Sequence, residues 1–391
     1  MRPAVCYLNG LRQYAGICLK PGRIQVLREK DDLNSAGKIV LDPTVEWQGK
    51  RLLAGIAMDG DSPPYYSKFE RFMKSNGIHY EFFNIHGSDW IENINRFDVI
   101  CWRPMSSPWE LDEAREKIYF AENILKKKVY PSFREVFFYE NKLLQYYILK
   151  KEAFPVIDTF ISSDYDEVMN WLDTADYPLV SKLRTASASF GVSLLKNKMQ
   201  AKIHAGKVFR SGKWTCWPHL KQKNYVFFQK FVENTGFDLR VIVIDEKHIF
   251  GYFRNVPSND FRASGAGRVE KKELPQEAIK ISLDVLGRLG FLNLAVDFLQ
   301  SSADGKFHII EASNFIKVNT NEQLEIKGLP GCYEYRTKTD SLIFREGRYW
   351  LQELVLKKFF EKNFSVPDKI PALKLQTGGD GLEGAYLEEG S

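Results

Sequence analysis

The sequence predicts an α/β protein built from separate α+β lobes. Between about residues 51 and 138, apolar strands alternate with helical segments, a pattern typical of βαβ units with a parallel sheet. Beyond about residue 224, strands follow one another through short turns, which favours an antiparallel sheet. With 391 residues, 44% of them hydrophobic, the chain exceeds one ordinary core, so we expect two or three lobes.

Composition and charge exclude several classes of protein. A net charge of +5 is mild for this length; it fits small anionic substrates and argues against a dedicated nucleic-acid binder. The five cysteines contain no CxxC pair, so neither a zinc site nor a disulfide framework is indicated. No signal peptide is evident, and no apolar run reaches the roughly 18 residues of a membrane span. We therefore expect a cytoplasmic protein with small-molecule partners.

The first half of the chain contains a candidate phosphate-binding loop. Asn141 is placed to cap a helix that ends before Pro155, and an apolar strand from Tyr177 to Leu183 puts Lys182 at its exit. The small residues from 184 to 192 follow directly and would let backbone N–H groups approach phosphate oxygens. An ordinary serine-rich turn is the alternative.

The second half predicts further strands and two helices. The strand from Tyr225 to Glu233 precedes a hairpin with strands at 237–244 and 248–254. Pro275 opens an amphipathic helix that Gly290 ends. A C-terminal helix is expected from Arg348 to Asn363.

Two carboxylates are predicted to face each other on a hairpin between Phe291 and Thr320. If Ala303, Asp304 and Gly305 form a three-residue loop, then Asp297 lies opposite Glu311. Facing carboxylates repel each other unless a divalent cation lies between them, and magnesium suits such oxygen ligands. The alternative is a solvent-facing hairpin without a metal.

The order of these motifs resembles that of the ATP-grasp superfamily, most closely the RimK-like carboxylate–amine ligases. The resemblance covers about Tyr130 to Gly331. Asn141-Lys142, the strand to Lys182 with its small-residue loop, and the strand 228–233 resemble the lid and adenine motifs of the family. The run Asp238-Leu239-Arg240, Arg254 and Asp260-Phe261-Arg262 is similar to its arginine motif, and Asp297 and Glu311 match its magnesium carboxylates.

The resemblance implies a role for each matching residue. Lys142 and Lys182 would contact the α- and β-phosphates of ATP, with Ser187 and Ser189 over the β- and γ-phosphates. Adenine and ribose would be held by Gln229, Lys230, Phe231, Val232 and Glu233. Substrate carboxylate and acyl phosphate would be gripped by Arg240, Arg254 and Arg262. Magnesium would be held by Asp297, Glu311 and Asn314.

Two features depart from the family pattern. The family closes with Glu-x-Asn, whereas Glu311-Ala312-Ser313-Asn314 has serine at that position and asparagine one residue later. Asn314 is the expected third ligand, with Ser313, Asn319 or Asn321 as alternatives. The segment after Ser313 is unlike the ending of RimK itself and resembles more loosely a branch associated with surface-polysaccharide gene clusters. Trp214 and Trp217 would either pack the lid or line a sugar-stacking surface.

The resemblance also implies a domain organisation and a reaction. We expect an N-terminal extension (1–50), a pre-ATP-grasp βαβ lobe (51–138), a lid subdomain (139–223), a C-terminal lobe (224–372) and a flexible tail (373–391). The expected activity joins a carboxylate to an amine with ATP and Mg²⁺, on small-molecule, peptide or glycan substrates that the sequence does not identify. A small-molecule kinase and a non-catalytic nucleotide-binding module are the alternatives, and a homo-oligomer is compatible with the sequence.

Overall fold

The computed structural model describes residues 37–42, 52–60, 64–184, 191–217, 219–256, 268–316 and 324–365. Three residues with predicted roles, Ser187, Ser189 and Arg262, lie outside these residues, as do the alternative ligands Asn319 and Asn321, most of the N-terminal extension and the tail. Among the described helices, none has the length and apolar character needed to cross a membrane. The predicted domain boundaries stay predictions.

The N-terminal lobe is a four-stranded parallel sheet with helices on it. Its strands are β1 (Leu53–Ala57), β2 (His79–Phe83), β3 (Val99–Cys101) and β4 (Lys128–Tyr130), in the order β2-β1-β3-β4. Its helices are α1 (Tyr66–Ser75), α2 (Trp90–Asn95), α3 (Pro108–Tyr119), which continues as a π-helical turn (Phe120–Ile124), and α4 (Phe133–Phe138). The parallel pairing confirms the predicted βαβ pattern.

The lid is a four-stranded antiparallel sheet covered by two helices. A further helix, α5 (Lys142–Lys151), precedes its first strand and connects the N-terminal lobe to the lid. Helix α5 begins where the Asn141 side chain accepts a hydrogen bond from Leu144 N, as predicted. The lid then contains β5 (Thr159–Ser162), α6 (Tyr165–Thr174), β6 (Leu179–Ser181), β7 (Ser193–Leu195), α7 (Lys198–Arg210), a small hairpin of β8 (Lys213–Trp214) and β9 (Lys221–Gln222), and β10 (Val226–Lys230). The sheet order is β5-β10-β6-β7.

The central sheet has eight strands and is antiparallel. Its strands are β11 (Asn234–Ile244), β12 (His248–Asn255), β13 (Arg268–Glu270), β14 (Asn293–Ser301), β15 (Phe307–Ser313), β16 (Glu325–Ile326), β17 (Leu329–Arg336) and β18 (Ser341–Glu346). Helix α8 (Gln276–Leu289) follows Pro275 and ends at Gly290, which has φ +66°, and helix α9 (Leu351–Phe364) ends the described chain. The predicted hairpin of β11 and β12 is confirmed, with Ile244 opposite His248.

The two faces of the central sheet are covered differently. One face is wholly apolar: Leu239, Val241 and Val296 pack with Ile279 and Leu286 of α8. On the other face, the apolar half contacts α9 and the N-terminal lobe through Ile242, Ile244 and Ala295. Two positions further along the same strands and on the same face lie two charged residues, Arg240 and Asp297. This charged half is where the predicted site residues meet.

The β14–β15 hairpin reaches the predicted register by a different route. Asp297 lies opposite Glu311, which confirms the predicted pairing. The predicted three-residue loop is wrong, because Ser301 N donates to Lys306 O at 3.0 Å and the turn therefore contains four residues. A bulge in β15, where Ile310 lies unpaired between Ile309 and Glu311, restores the register. Gly305 does adopt the left-handed conformation, with φ +71°.

Candidate active site

Asp297 is the centre of a buried charge cluster on the central sheet. Arg240, directly opposite on β11, donates from Nε to Oδ1 and from Nη2 to Oδ2, both at 2.7 Å. Arg254 Nη2 lies 3.0 Å from Oδ2 without the geometry of a hydrogen bond, while its Nε donates to Asp238. Asp238, Arg254 and Asp297 are each less than a tenth exposed. Two arginines from the neighbouring strands β11 and β12 thus contact one carboxylate.

The charges of this cluster depend on one another. Burial alone raises the pKa of Asp297, but Arg240 and Arg254 outweigh it and hold that pKa well below its usual range. Burial raises the pKa of Asp238 to about 6, although Arg254 acts in the opposite direction. The Asp297 carboxylate is therefore ionised at neutral pH, and it compensates the partly exposed guanidinium of Arg240 and, together with Asp238, the buried guanidinium of Arg254.

Lys142 reaches the central sheet from the first turn of α5. Its Nζ donates to Oε1 of Glu311 at 2.9 Å, and the lysine side chain is 10% exposed. Burial lowers the pKa of Lys142, but the neighbouring carboxylates of Glu311 and Glu140 raise it further, so that the net shift is upward. The lysine is charged, and it takes up one oxygen of Glu311. Within the described part of the chain, the other oxygen, Oε2, accepts no hydrogen bond.

Lys182 follows β6, as predicted, and projects toward the same strand of the central sheet. Its Nζ lies 3.4 Å from the carbonyl oxygen of Ile310, the residue of the β15 bulge. Burial lowers the pKa of Lys182 to about 8, and the nearby charge of Lys142 lowers it further, against the pull of Glu311. Two lysines therefore flank Glu311 with different electrostatics: one is paired with the carboxylate and the other is not.

The strand predicted to hold adenine is shorter than expected. Strand β10 ends at Lys230, so Phe231, Val232 and Glu233 form the connection from the lid to β11. Gln229 is buried and donates to Thr159 Oγ1 at 3.2 Å, and Phe231 N donates to Pro178 O. Ser302 N donates to Glu233 O at 2.9 Å, which ties this connection to the central sheet.

The lid and the central sheet enclose a cleft that is lined by Lys142, Lys182, Gln229 and Glu311 but not by the Asp297 cluster. Val156 and Ile309 form an isolated parallel β-bridge, in which Ile309 N donates to Pro155 O at 2.7 Å. This contact joins the two walls of the cleft. The cleft has an empty volume of about 340 Å³ including its open mouth, and its lining includes Lys142, Lys182, Gln229, Glu311 and Tyr146. Lys142 and Glu311, which are 169 positions apart in sequence, therefore line one cavity.

Comparison with known proteins identifies this part of the chain. The family described as the RimK-like ATP-grasp domain matches residues 139–327. The chain contains a RimK-like ATP-grasp domain. The resemblance drawn from the order of the motifs is thereby confirmed, and the family is one of ATP-dependent carboxylate–amine ligases.

Several curated proteins are similar to the ATP-grasp domain and its surroundings. Glutamate–LysW ligase of Sulfolobus acidocaldarius is 23% identical over 48% of this chain and 62% of its own length. Alpha-aminoadipate–LysW ligase of Saccharolobus solfataricus is 25% identical over 46% of this chain and 65% of its own. Tetrahydromethanopterin:alpha-L-glutamate ligase of Methanocaldococcus jannaschii is 25% identical over 41% of this chain and 54% of its own length. The chain thus spans less than two thirds of each of these relatives.

The carboxylate oxygens of Asp297 and Glu311 on the central sheet are the type of ligand that a hard divalent cation prefers. Asp297 and Glu311 lie opposite each other on paired strands. Lys142 bonds to Oε1 of Glu311, and Oε2 accepts no hydrogen bond from the described residues. Both oxygens of Asp297 are held by arginines, so a cation bound there has to share or displace one guanidinium contact. Among the described residues, no group of three His, Cys, Asp or Glu side chains has the arrangement of a metal site. Such a cation would need further oxygens from a substrate.

The third magnesium ligand is the residue whose placement differs most from the prediction. Ser313 lies on β15 opposite Ala295, on the face shared by Asp297 and Glu311. Asn314 follows the end of the strand, and its Nδ2 donates to Glu135 O in α4 at 3.0 Å. The Oδ1 of Asn314 is buried and accepts no hydrogen bond from the described residues. The role of Asn314 stays a prediction, while strand alternation favours Ser313.

Sequence reasoning missed Gln145 and the packing of Cys216 and Trp217 on Leu183, although packing of the lid was one of the two interpretations of Trp217. Gln145 of α5 donates to Phe138 O at 3.1 Å and points its Oε1 toward Ala312 N, three residues after Lys142. Cys216 and Trp217 pack on Leu183, which directly follows Lys182. The helical spacing of Lys142 and Gln145 was a usable signal for the first group. The second group depends on a contact between distant segments that no local pattern shows.

Proposed function

We propose that this protein is an ATP- and Mg²⁺-dependent ligase that joins a carboxylate to an amine through an acyl phosphate. The observation that carries the proposal is the convergence of Lys142, Lys182 and Glu311 in the cleft of an ATP-grasp domain, beside Asp297. Since phosphoryl transfer depends on positioning and on neutralising charge, cations and facing carboxylates in one cleft are the groups it needs.

The proposed nucleotide site uses both walls of the cleft. The Lys142 and Lys182 ammonium groups would contact the α- and β-phosphates, and Ser187 and Ser189 would cover the β- and γ-phosphates. Adenine would lie beside β10 and the connection to β11, against Gln229, Lys230, Phe231 and Val232, with Glu233 on the ribose. Lys182 supports this assignment because it is partly buried and makes no hydrogen bond to a carboxylate among the described residues, so a phosphate would gain a charge-assisted contact.

The proposed cation site lies on the β14–β15 hairpin. Asp297 and Glu311 would hold Mg²⁺, with Ser313 or Asn314 as a further oxygen ligand. When bound, the ion would neutralise the phosphate charge that develops during transfer. Lys142 donates a hydrogen bond to one oxygen of Glu311, the residue paired with Asp297, and would restrain that side chain when the cation binds.

The arginines are proposed to bind the reacting carboxylate. In the first step a substrate carboxylate oxygen attacks the γ-phosphorus, the bond to the β-phosphate oxygen breaks, and ADP leaves. In the second step the amine attacks the acyl carbon, the carbon–oxygen bond to phosphate breaks, and the amine loses a proton. Arg240, Arg254 and Arg262 would hold the carboxylate and then the acyl phosphate. Nη1 of Arg240 makes no hydrogen bond to any described residue and is available for this contact.

One substrate is proposed to be an amino acid. The names of all three relatives pair an amino acid, glutamate or alpha-aminoadipate, with a second partner, LysW or tetrahydromethanopterin. We extend this to an amino acid joined to a peptide, a glycan or a metabolite. The net charge of +5 is compatible with an anionic substrate of this kind.

Product analysis tests the proposal directly. The protein is incubated with ATP, Mg²⁺ and pairs drawn from amino acids, peptides and uronic-acid sugars, and ADP, free phosphate and the joined product are measured. A ligase forms all three only when both substrates are present. Phosphate that stays on an acceptor identifies a kinase instead, and ATP binding without turnover identifies a nucleotide-binding module.

A matched pair of variants tests the cation site. Glu311→Gln is expected to lower Mg²⁺-dependent turnover by at least about 100-fold, since it removes a charge aimed at the transferred group. Asp304→Asn changes a carboxylate at the exposed tip of the same hairpin and serves as the control. Equal activity of both variants would overturn the assignment of Glu311.

A further inference from the structure

Two tryptophans join the N-terminal lobe to the lid. Trp109 lies in the first turn of α3, and its ring meets Trp217 edge-on, with centroids 5.6 Å apart and an interplanar angle of 81°. Trp217 belongs to the loop of the β8–β9 hairpin and is 6% exposed. Within the described part of the chain, no other aromatic pair connects α3 to the lid. We name this contact the tryptophan clasp.

The lid side of the clasp is a braced loop. Thr215 Oγ1 donates to Leu220 O at 3.0 Å and accepts from Trp217 N at 3.1 Å, and Thr215 N also donates to Leu220 O. Lys213 Nζ donates to Ser193 Oγ at 2.9 Å, which ties the hairpin to β7. Because each end of the loop is bonded, a movement of Trp217 moves the hairpin as a unit.

The clasp is packed directly onto the chain around Lys182. Leu183 is 2% exposed and lies in one cluster with Cys216 and Trp217. Arg184 N donates to Gln222 Oε1 at 2.8 Å and to Tyr225 OH at 3.2 Å. Gly191 has φ +75°, and a Cβ there would lie 2.3 Å from Leu183, so only glycine allows this approach. The β8–β9 hairpin and the tryptophan clasp therefore hold Leu183 and Arg184, the two residues that follow Lys182, in place.

We propose that Trp109 and Trp217 are positioning residues for ATP: their contact holds the lid against the N-terminal lobe and keeps Lys182 in the nucleotide cleft. This inference rests on the proposed function, because it assigns the cleft to ATP. It goes beyond that function by giving the N-terminal lobe a part in nucleotide affinity. When the clasp is open, part of the binding free energy of ATP is used to close the lid. The apparent affinity for ATP is then the affinity of the closed state multiplied by the fraction of molecules that are closed.

Chain geometry also supplies a control in the same hairpin. Trp214 lies on β8, three residues before Trp217, but it is 54% exposed and contacts Lys221, whose Nζ is 4.3 Å from the ring centroid. It belongs to neither the clasp nor the cleft lining. Removing its ring should therefore leave nucleotide affinity unchanged.

The test measures Mg·ATP binding by calorimetry without other substrates, in the full chain. Trp217→Ala and Trp109→Ala are each expected to weaken binding about 3- to 10-fold, which corresponds to the loss of an aromatic pair. Trp217→Phe should restore most of the affinity, and Trp214→Ala should match the wild type. The double alanine variant should bind no more weakly than either single variant, because the two residues act through one contact.

Near-ultraviolet circular dichroism gives an independent signature. Paired indoles couple, so the signal of the clasp should disappear in both Trp109→Ala and Trp217→Ala and persist in Trp214→Ala. If Trp217→Ala does not fold, Trp109→Ala tests the same contact from the N-terminal lobe. Wild-type affinity in the folded alanine variants, or additive losses in the double variant, overturns the clasp while leaving the proposed function intact. Failure of the wild type to bind ATP overturns the proposed function, and the clasp with it.

Discussion

One face of the central sheet carries two halves with opposite chemistry. Along β11 and β14, Ile242 and Ala295 lie opposite each other and are fully buried under α9 and the N-terminal lobe. Two residues along each strand, Arg240 and Asp297 lie opposite each other on the same face. The backbone pairing is the same in both halves, so the strands themselves do not distinguish core from site.

The difference lies in what covers each half. The apolar half is packed against α9 and the N-terminal lobe, whereas the charged half lies beside Glu311, which lines the cleft between the lid and the central sheet. A buried charge persists only when it is paired, and Asp297 meets that condition through two arginines. Apolar pairs stabilise one half independently of any ligand. The charged half is stabilised by a network whose members are also the groups proposed to bind substrate and cation.

The largest effect is expected from breaking the charged half. Asp297→Asn removes the carboxylate that Arg240 and Arg254 share and leaves Asp238 as the only charged partner of Arg254 among the described residues, which should lower the free energy of unfolding by about 3 kcal/mol and abolish turnover. Urea denaturation measures the first quantity and ADP release the second. A variant as stable as the wild type would show that water compensates the two guanidinium groups.

The apolar half should respond differently to a change of similar size. Ile242→Ala removes buried methyl groups beneath α9 and should lower the free energy of unfolding by about 2–5 kcal/mol. Because no charged group is lost, ATP affinity of the folded variant should stay at the wild-type value. A loss of affinity comparable to that of the charged-half variants would mean that the two halves are not separable.

A smaller and pH-dependent effect is expected at Lys182. Its pKa of about 8 lies below the ordinary value, so between about pH 8 and pH 10.5 the unfolded chain binds more protons at this group than the folded protein. The contribution of Lys182 to the stability of the unliganded protein therefore rises with pH through that window. ATP affinity should fall over the same range, by up to about tenfold from pH 7 to pH 9, because the neutral amine no longer attracts phosphate.

Lys182→Arg provides the matched variant for this pH dependence. Arginine stays charged throughout the range, so the affinity of the variant for Mg·ATP should be flat from about pH 7 to pH 9. Calorimetry at a series of pH values measures both proteins. The same pH dependence in wild type and variant would assign it to another group.

The smallest effect is expected at the third ligand. If Ser313 contributes an oxygen, Ser313→Ala should raise the Mg²⁺ concentration for half-maximal turnover about fivefold, roughly 1 kcal/mol. Asn314→Ala should instead lower the free energy of unfolding by about 1 kcal/mol, through the lost bond to Glu135 O, with little change in Mg²⁺ dependence. The reverse pattern would restore Asn314 as the ligand.

Local patterns predicted much of the fold correctly. Asn141 as a helix cap, Gly290 as a helix end, the β11–β12 hairpin and the parallel N-terminal sheet are all confirmed. Each depends on residues close together in sequence, where capping, turn chemistry and periodicity act directly. The loop length of the β14–β15 hairpin was predicted wrongly. A bulge at its other end cannot be read from turn residues, and it cancelled the error.

The amino-acid sequence by itself determined the elements, the order of the motifs and the family to which the ATP-grasp domain belongs. Those properties follow from spacing and residue type along the chain. Only the tertiary structure decided that Arg240 pairs with Asp297, that Lys142 bonds to Glu311 while Lys182 does not, and that Trp109 meets Trp217. Such partners are distant in sequence and are selected by burial, because a charge or an indole removed from water takes the partner that folding brings to it.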